Sequence, residues 1–151
     1  DNGYNVRYII IGFFNDDYSN YLINYVNSLK NKEIFNCFPF SGDKFINEIY
    51  CASDIGIWTN CAISIQESMG TGLLLFLENK SSLNYLVEEK VNGFVWSEHS
   101  FDKEIVKLIK NRSFFNEFSR ERRFQHNKTF SYDNLANAFI KNLKNLKIGL
   151  N

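Results

Sequence analysis

The chain has 151 residues, 44% of them apolar and 17% aromatic, and its formal net charge at neutral pH is zero. That composition predicts one globular domain with a sizeable core rather than a disordered segment. A balance of 17 basic against 17 acidic residues argues against a nucleic-acid groove or an anionic membrane as the main partner, since both select clustered positive charge. Along the chain, Val6 to Ile11 is an apolar, largely β-branched run ending at Gly12, which fits a strand buried on both faces. Ser19 to Lys30 carries Leu22, Ile23, Val26 and Leu29 on one helical stripe, with Asp17 or Ser19 expected as the N-cap. Ile34 to Phe38 reads as a short strand broken by Pro39 and Gly42, and Lys44 to Cys51 as a short helix.

A second series follows. A strand is expected at Asp54 to Ile57, then a loop of small polar residues and a helix carrying Glu67, closed by Gly70-Thr71-Gly72. A strand at Leu73 to Leu77, a helix at about Ser81 to Glu88, the turn Asn92-Gly93 and a strand at Phe94 to Trp96 complete it. Alternating strands and helices with short connections predict an α/β domain, a doubly wound parallel sheet of Rossmann-like type. Beyond Trp96 the pattern becomes helical, at Asp102 to Lys110, Ser113 to Phe124 and Tyr132 to Leu146. The last of these puts Leu135, Phe139, Leu143 and Leu146 on one stripe, with lysines opposite.

No apolar run approaches the roughly 20 residues of a membrane span. No signal peptide is recognisable, and a start at Asp1 without Met reads as the loss or omission of an upstream part. Cys37, Cys51 and Cys61 are odd in number without CxxC spacing, which fits reduced cytosolic thiols. Cys61 reads as a small space-filling residue rather than a nucleophile, with no histidine near it in sequence.

Parallel α/β sheets bind ligands at the carboxyl ends of their strands. Three loops are expected there: Gly12 to Asp17, Phe38 to Gly42 and Trp58 to Ser64. In the first, Asp16 and Asp17 are neighbours and diverge too much to share a cation. The second, with Phe38 and Phe40, offers a flat apolar wall to a nucleobase, although both also suit an ordinary core. The third opens a helix whose first backbone N–H groups, at Ala62, Ile63 and Ser64, lack intrahelical partners and favour an anion such as pyrophosphate. Ser64 adds a hydroxyl or caps the helix, and Glu67, expected on the first turn, reaches sugar hydroxyls beside a phosphate. Strand, polar loop, helix and acid in that order point to a nucleotide-sugar site.

The segment Ala52-Ser53-Asp54, then Glu67-Ser68-Met69-Gly70-Thr71-Gly72, then Asn92-Gly93-Phe94 resembles the C-terminal, donor-binding domain of retaining GT-B glycosyltransferases of the large family with many bacterial surface-polysaccharide enzymes. The resemblance spans roughly Val6 to Leu146. Thr59 stands where the family places its first Glu, Asn60 to Ser64 replaces its Gly-rich loop, and Leu74 its usual proline. Some relatives carry a similar Trp-x-x-x-x-Ile-Ser-Ile-x-Glu loop, matched here from Trp58 to Glu67.

The resemblance implies a domain that binds a nucleotide diphosphate sugar without a metal or other cofactor, through Glu67, Ser64, Ile63, Ala62, Thr59, Gly12 and Phe38. It implies glycosyl transfer by the complete protein, in capsular or surface polysaccharide synthesis, cytoplasmic or peripheral at the inner membrane face. The saccharide or lipid-linked acceptor belongs to an N-terminal domain outside this chain, so the fragment alone is expected to be inactive, and no catalytic residue is assigned within it. The terminal helix crosses to that domain in the family, so its stripe is expected to be exposed here and open to homodimer formation. A non-catalytic GT-B-like binding module and a sugar-nucleotide epimerase share these features and remain alternatives.

Overall fold

A computed structural model describes residues 5–111 and 119–148. It divides into two compact units, Asp1–Ile46 and Asn47–Asn151. In the first, β1 (Tyr8–Phe13), α1 (Asp17–Ser28), a 3₁₀ turn (Lys32–Ile34) and β2 (Phe35–Pro39) form a parallel β-α-β unit. Tyr8 pairs with Phe35 and Ile11 with Phe38, and the register then shifts between Ile11 and Phe13, around Gly12 at φ +109°. β1 is half-buried rather than enclosed on both faces, with Phe13 its one buried side chain. Two strands alone make too small a sheet to hide five apolar side chains.

Asp16, not Asp17 or Ser19, caps α1. Its Oδ1 accepts from Ser19 N at 2.7 Å, and the Ser19 amide and hydroxyl hold its carboxyl below the ordinary value. Ser19 itself is buried, with its Oγ accepting from Phe14 N at 3.0 Å. α2 (Asp43–Ala52) carries the chain from the first unit into the second.

The second unit holds β3 (Ile55–Trp58), α3 (Ile63–Met69), β4 (Leu74–Glu78), a 3₁₀ turn (Asn84–Leu86) and β5 (Gly93–Trp96). Among the described residues three helices follow: α4 (Phe101–Lys110), α5 (Arg120–Asn127) and α6 (Tyr132–Ile148). Its sheet is parallel in the order β3-β4-β5. β4 is central, and Leu74 to Leu77 are all buried. Leu75 and Leu77 pack with Ile65, Met69, Leu83 and Leu86 on one face, while Leu74 and Phe76 pack with Trp96, Ile105 and Leu108 on the other. The strict alternation of a strand thus feeds two cores, one under α3 and one under α4, and the α/β class with helices on both faces follows. Each buried leucine contributes roughly 1.5–3 kcal/mol.

The expected helix at Ser81 to Glu88 is only the 3₁₀ turn. Leu83 and Leu86, three apart, both face the core, a spacing that the tighter helix aligns. Asn92 then takes the backbone groups that a longer helix would need: its Nδ2 donates to Leu86 O (2.8 Å) and its Oδ1 accepts from Glu88 N (2.8 Å). Asn92 is fully buried, and its Nδ2 also donates to Asn127 Oδ1 at 3.0 Å. Asn127 Nδ2 in turn donates to Met69 O at 3.0 Å. Gly93 follows because a Cβ there would lie 2.4 Å from Leu75 O.

α5 is fastened by its arginines. Arg120 donates to the carbonyls of Tyr50, Thr71 and Ser53, and Arg123 Nε to Gly72 O at 2.7 Å. Burial, then the like charge of Arg120, lowers the Arg123 guanidinium to about 10, with Asp54 opposing, so it stays charged at neutral pH. Of the helix expected at Ser113 to Phe124, residues 113–118 lie outside the described residues, as does the side chain of Leu146. α6 is exposed along its described length, with Tyr132, Leu135, Phe139 and Leu143 open to solvent. Among the described residues no helix is long and apolar enough to cross a membrane.

Replacing Asn92 by Ala orphans two buried partners, Leu86 O and Asn127 Oδ1, each costing about 1–3 kcal/mol, and one part-buried partner, Glu88 N. Urea unfolding is expected to show a loss of about 3 kcal/mol for Asn92→Ala and a smaller one for Asn127→Ala. Because the two side chains share a bond, the double variant should lose less than the sum.

Candidate functional site

The site is built from the end of β3. Trp58 folds back over Gly56, where a Cβ would lie 2.3 Å from the indole ring, so glycine is required for the ring to lie there. The indole packs against the core under α3, and its Nε1 donates to Ser64 Oγ at 3.1 Å. Burial, and then the negative charge of Glu67, push the Tyr50 phenol above its ordinary value, while the Ser64 side chain pulls it down. Tyr50, Trp58, Ser64 and Glu67 therefore form one cluster at the carboxyl edge of β3.

The helix start differs in detail from expectation. Ala62 is the N-cap of α3 and no side chain caps it; the Ser64 hydroxyl accepts from Trp58 instead. Glu67 lies beyond the first turn, which holds no acid; it is exposed, and its carboxylate makes no hydrogen bond within the described residues. Ala62 and Ile63 are exposed at the helix start, and so is Cys61, which is a free thiol and not a space-filler.

Lys80, which sequence reasoning missed, clasps this loop. Its Nζ donates to Thr59 O at 2.7 Å and Asn60 Oδ1 at 3.4 Å, and pairs with Glu78 Oε2 at 2.9 Å. One ammonium thus ties the loop after β3 to the end of β4. The only hint in the sequence is a Glu-x-Lys at a strand end, which is common on any surface. Tyr50 was missed for a similar reason: it lies on α2, 14 positions before Ser64 in the chain.

The first unit places Gly12 and Phe38 at the carboxyl edge of its own sheet. Phe38 is half-buried with its ring edge-on to Phe45 at 5.3 Å, whereas Phe40 is exposed. A hollow of about 200 Å³ beside α3 is lined by Gln66, Met69, Gly70, Phe124 and Phe130 among others, but by no residue of the Trp58–Ser64 loop. Among the described residues no group of three or more His, Cys, Asp or Glu side chains converges to hold a metal ion.

No protein-family model matches this chain, and no curated protein matches it either.

Two measurements check the cluster. Glu67→Gln removes the charge that raises Tyr50, so its phenol should titrate at lower pH than in the wild type, read from the tyrosine ring carbon by NMR. Lys80→Met should free the Thr59–Asn60 loop, seen as faster amide exchange at residues 59–62 with exchange in β4 unchanged.

Proposed function

We propose that this chain is the donor-binding domain of a metal-independent retaining glycosyltransferase that takes a nucleotide diphosphate sugar, in the synthesis of a bacterial surface polysaccharide. The observation that carries the reading is the exposed, uncommitted carboxylate of Glu67. It stands one turn beyond a loop at the carboxyl edge of a parallel sheet, with Gly70-Thr71-Gly72 closing its helix and Asn92-Gly93 preceding β5. That order is the one on which the family resemblance rests.

In this reading Glu67 accepts hydrogen bonds from the two ribose hydroxyls. The first amides of α3, at Ile63 and Ser64, face the diphosphate and offset the negative charge that develops on it as the sugar leaves. Ser64 contributes through its backbone, because its hydroxyl serves Trp58. Thr59 borders the sugar with a neutral side chain, its carbonyl held by Lys80. The acceptor, a saccharide or lipid-linked glycan, is supplied by a further domain of a cytoplasmic or membrane-peripheral full-length protein. The open stripe on α6 suits packing against that domain or a second copy.

A second reading, a binding module without sugar chemistry, is favoured by one observation: the first acid of the family pattern is Thr59. Nucleotide binding indifferent to the attached sugar would select it.

The test is a thermal-shift screen against UDP, GDP, ADP, CMP and their sugars, with Glu67→Ala alongside. Ligand at a hundred times its Kd adds about 2.7 kcal/mol, expected to raise Tm by roughly 5–10 °C for this size. Glu67→Ala loses charge-assisted bonds of about 1.5–3 kcal/mol, roughly ten- to hundredfold in affinity. Unchanged affinity in the variant removes Glu67 from the site.

A further inference from the structure

No side chain of α6 from Tyr132 to Asn145 is buried, and Tyr132, Leu135, Phe139, Ile140 and Leu143 are 45–71% exposed. A helix of 17 residues is marginal in water unless its apolar face is packed. Asn134, Asn137, Asn142 and Asn145 weaken it further, because asparagine is a poor helix former. The direction of the stripe is set at the first turn. Ser131 Oγ accepts from Asn134 N at 3.3 Å, and Asn134 Nδ2 donates to Lys128 O, which fastens that side of the helix to the turn before it. Leu143 lies nine residues on, about two and a half turns, and so on the opposite side. The stripe therefore faces away from the anchor.

Spacing and charge select what covers it. Leu135, Phe139 and Leu143 follow at intervals of four, symmetric about Phe139. An antiparallel copy crossing at Phe139 sets each Leu135 against the other copy's Leu143. Asp133, Ile140 and Lys144 are seven and four residues apart and share one flank of the stripe. Asp133 stands near one end of that flank and Lys144 near the other, and neither has an ion-pair partner among the described residues. In an antiparallel two-fold pair each flank meets itself, so each Asp133 comes beside the other copy's Lys144. The opposed helix dipoles favour the same direction. A parallel pair instead brings Asp133 level with Asp133 and Lys144 level with Lys144.

We propose that α6 pairs with α6 of a second copy of this chain, antiparallel and centred on Phe139, through the apolar stripe and two Asp133–Lys144 ion pairs. Such a contact uses the same patch twice and closes as a dimer. It is independent of what the chain binds, so its failure leaves the donor-binding reading standing.

The experiment is sedimentation equilibrium of the whole chain over a range of concentrations at low salt. The average mass should rise from 17.7 kDa toward twice that value, and Phe139→Glu should abolish the rise. Asp133→Lys and Lys144→Asp each remove both ion pairs at once, so each should pair about two- to thirtyfold more weakly. The double variant exchanges the charges and should return close to wild-type affinity, with all these differences shrinking at high salt. A wild-type chain that stays at 17.7 kDa throughout, or a dimer indifferent to Phe139→Glu, overturns the pairing. Single charge reversals without effect, or a double variant no tighter than the single ones, overturn its antiparallel direction and with it the proposal.

Discussion

Asn127 accepts a hydrogen bond from Asn92 and gives one to the carbonyl of Met69, all within the buried interior of the second unit. Through those two bonds the turn before β5, the helix α5 and the end of α3 are set against one another. A buried amide left without partners is costly, so this arrangement is close to all-or-none. Arg120 and Arg123 extend it by fastening α5 to the carbonyls of Tyr50, Ser53, Thr71 and Gly72. The position of α3, and with it that of Glu67, depends on this polar lattice as much as on the leucines of β4.

On the other side of α3, the loop that leads into it is held by three different means. Trp58 lies against the core and bonds Ser64, Tyr50 stands near Ser64 from α2, and Lys80 grips the carbonyl of Thr59. None of these contacts consumes the carboxylate of Glu67. The Tyr50 phenol is raised first by burial and then by the negative charge of that acid.

Much of the fold was legible because burial leaves a periodic mark. Leu74 to Leu77 form an unbroken apolar run because β4 is covered on both faces. The stripe on α1 was visible for the corresponding helical reason. The failures are local. Asp16 was passed over as the N-cap because three polar candidates lie within four positions, and only the backbone decides which one turns toward the open amides. The helix expected at Ser81 to Glu88 gave way because Asn92, several residues downstream, captures its backbone groups. Phe38 and Phe40 are the same residue type two apart, and their opposite fates follow from where the strand ends.

The sequence by itself determined the alternation of strands and helices, the parallel α/β class and the loop beside Glu67, because these depend on neighbours within a few residues. Tertiary structure alone decided that Ser64 serves Trp58, that Lys80 holds Thr59, and that Phe14 meets Phe40. Each of those contacts joins groups from separate elements, whose approach is fixed by packing across the fold and has no period or spacing along the chain.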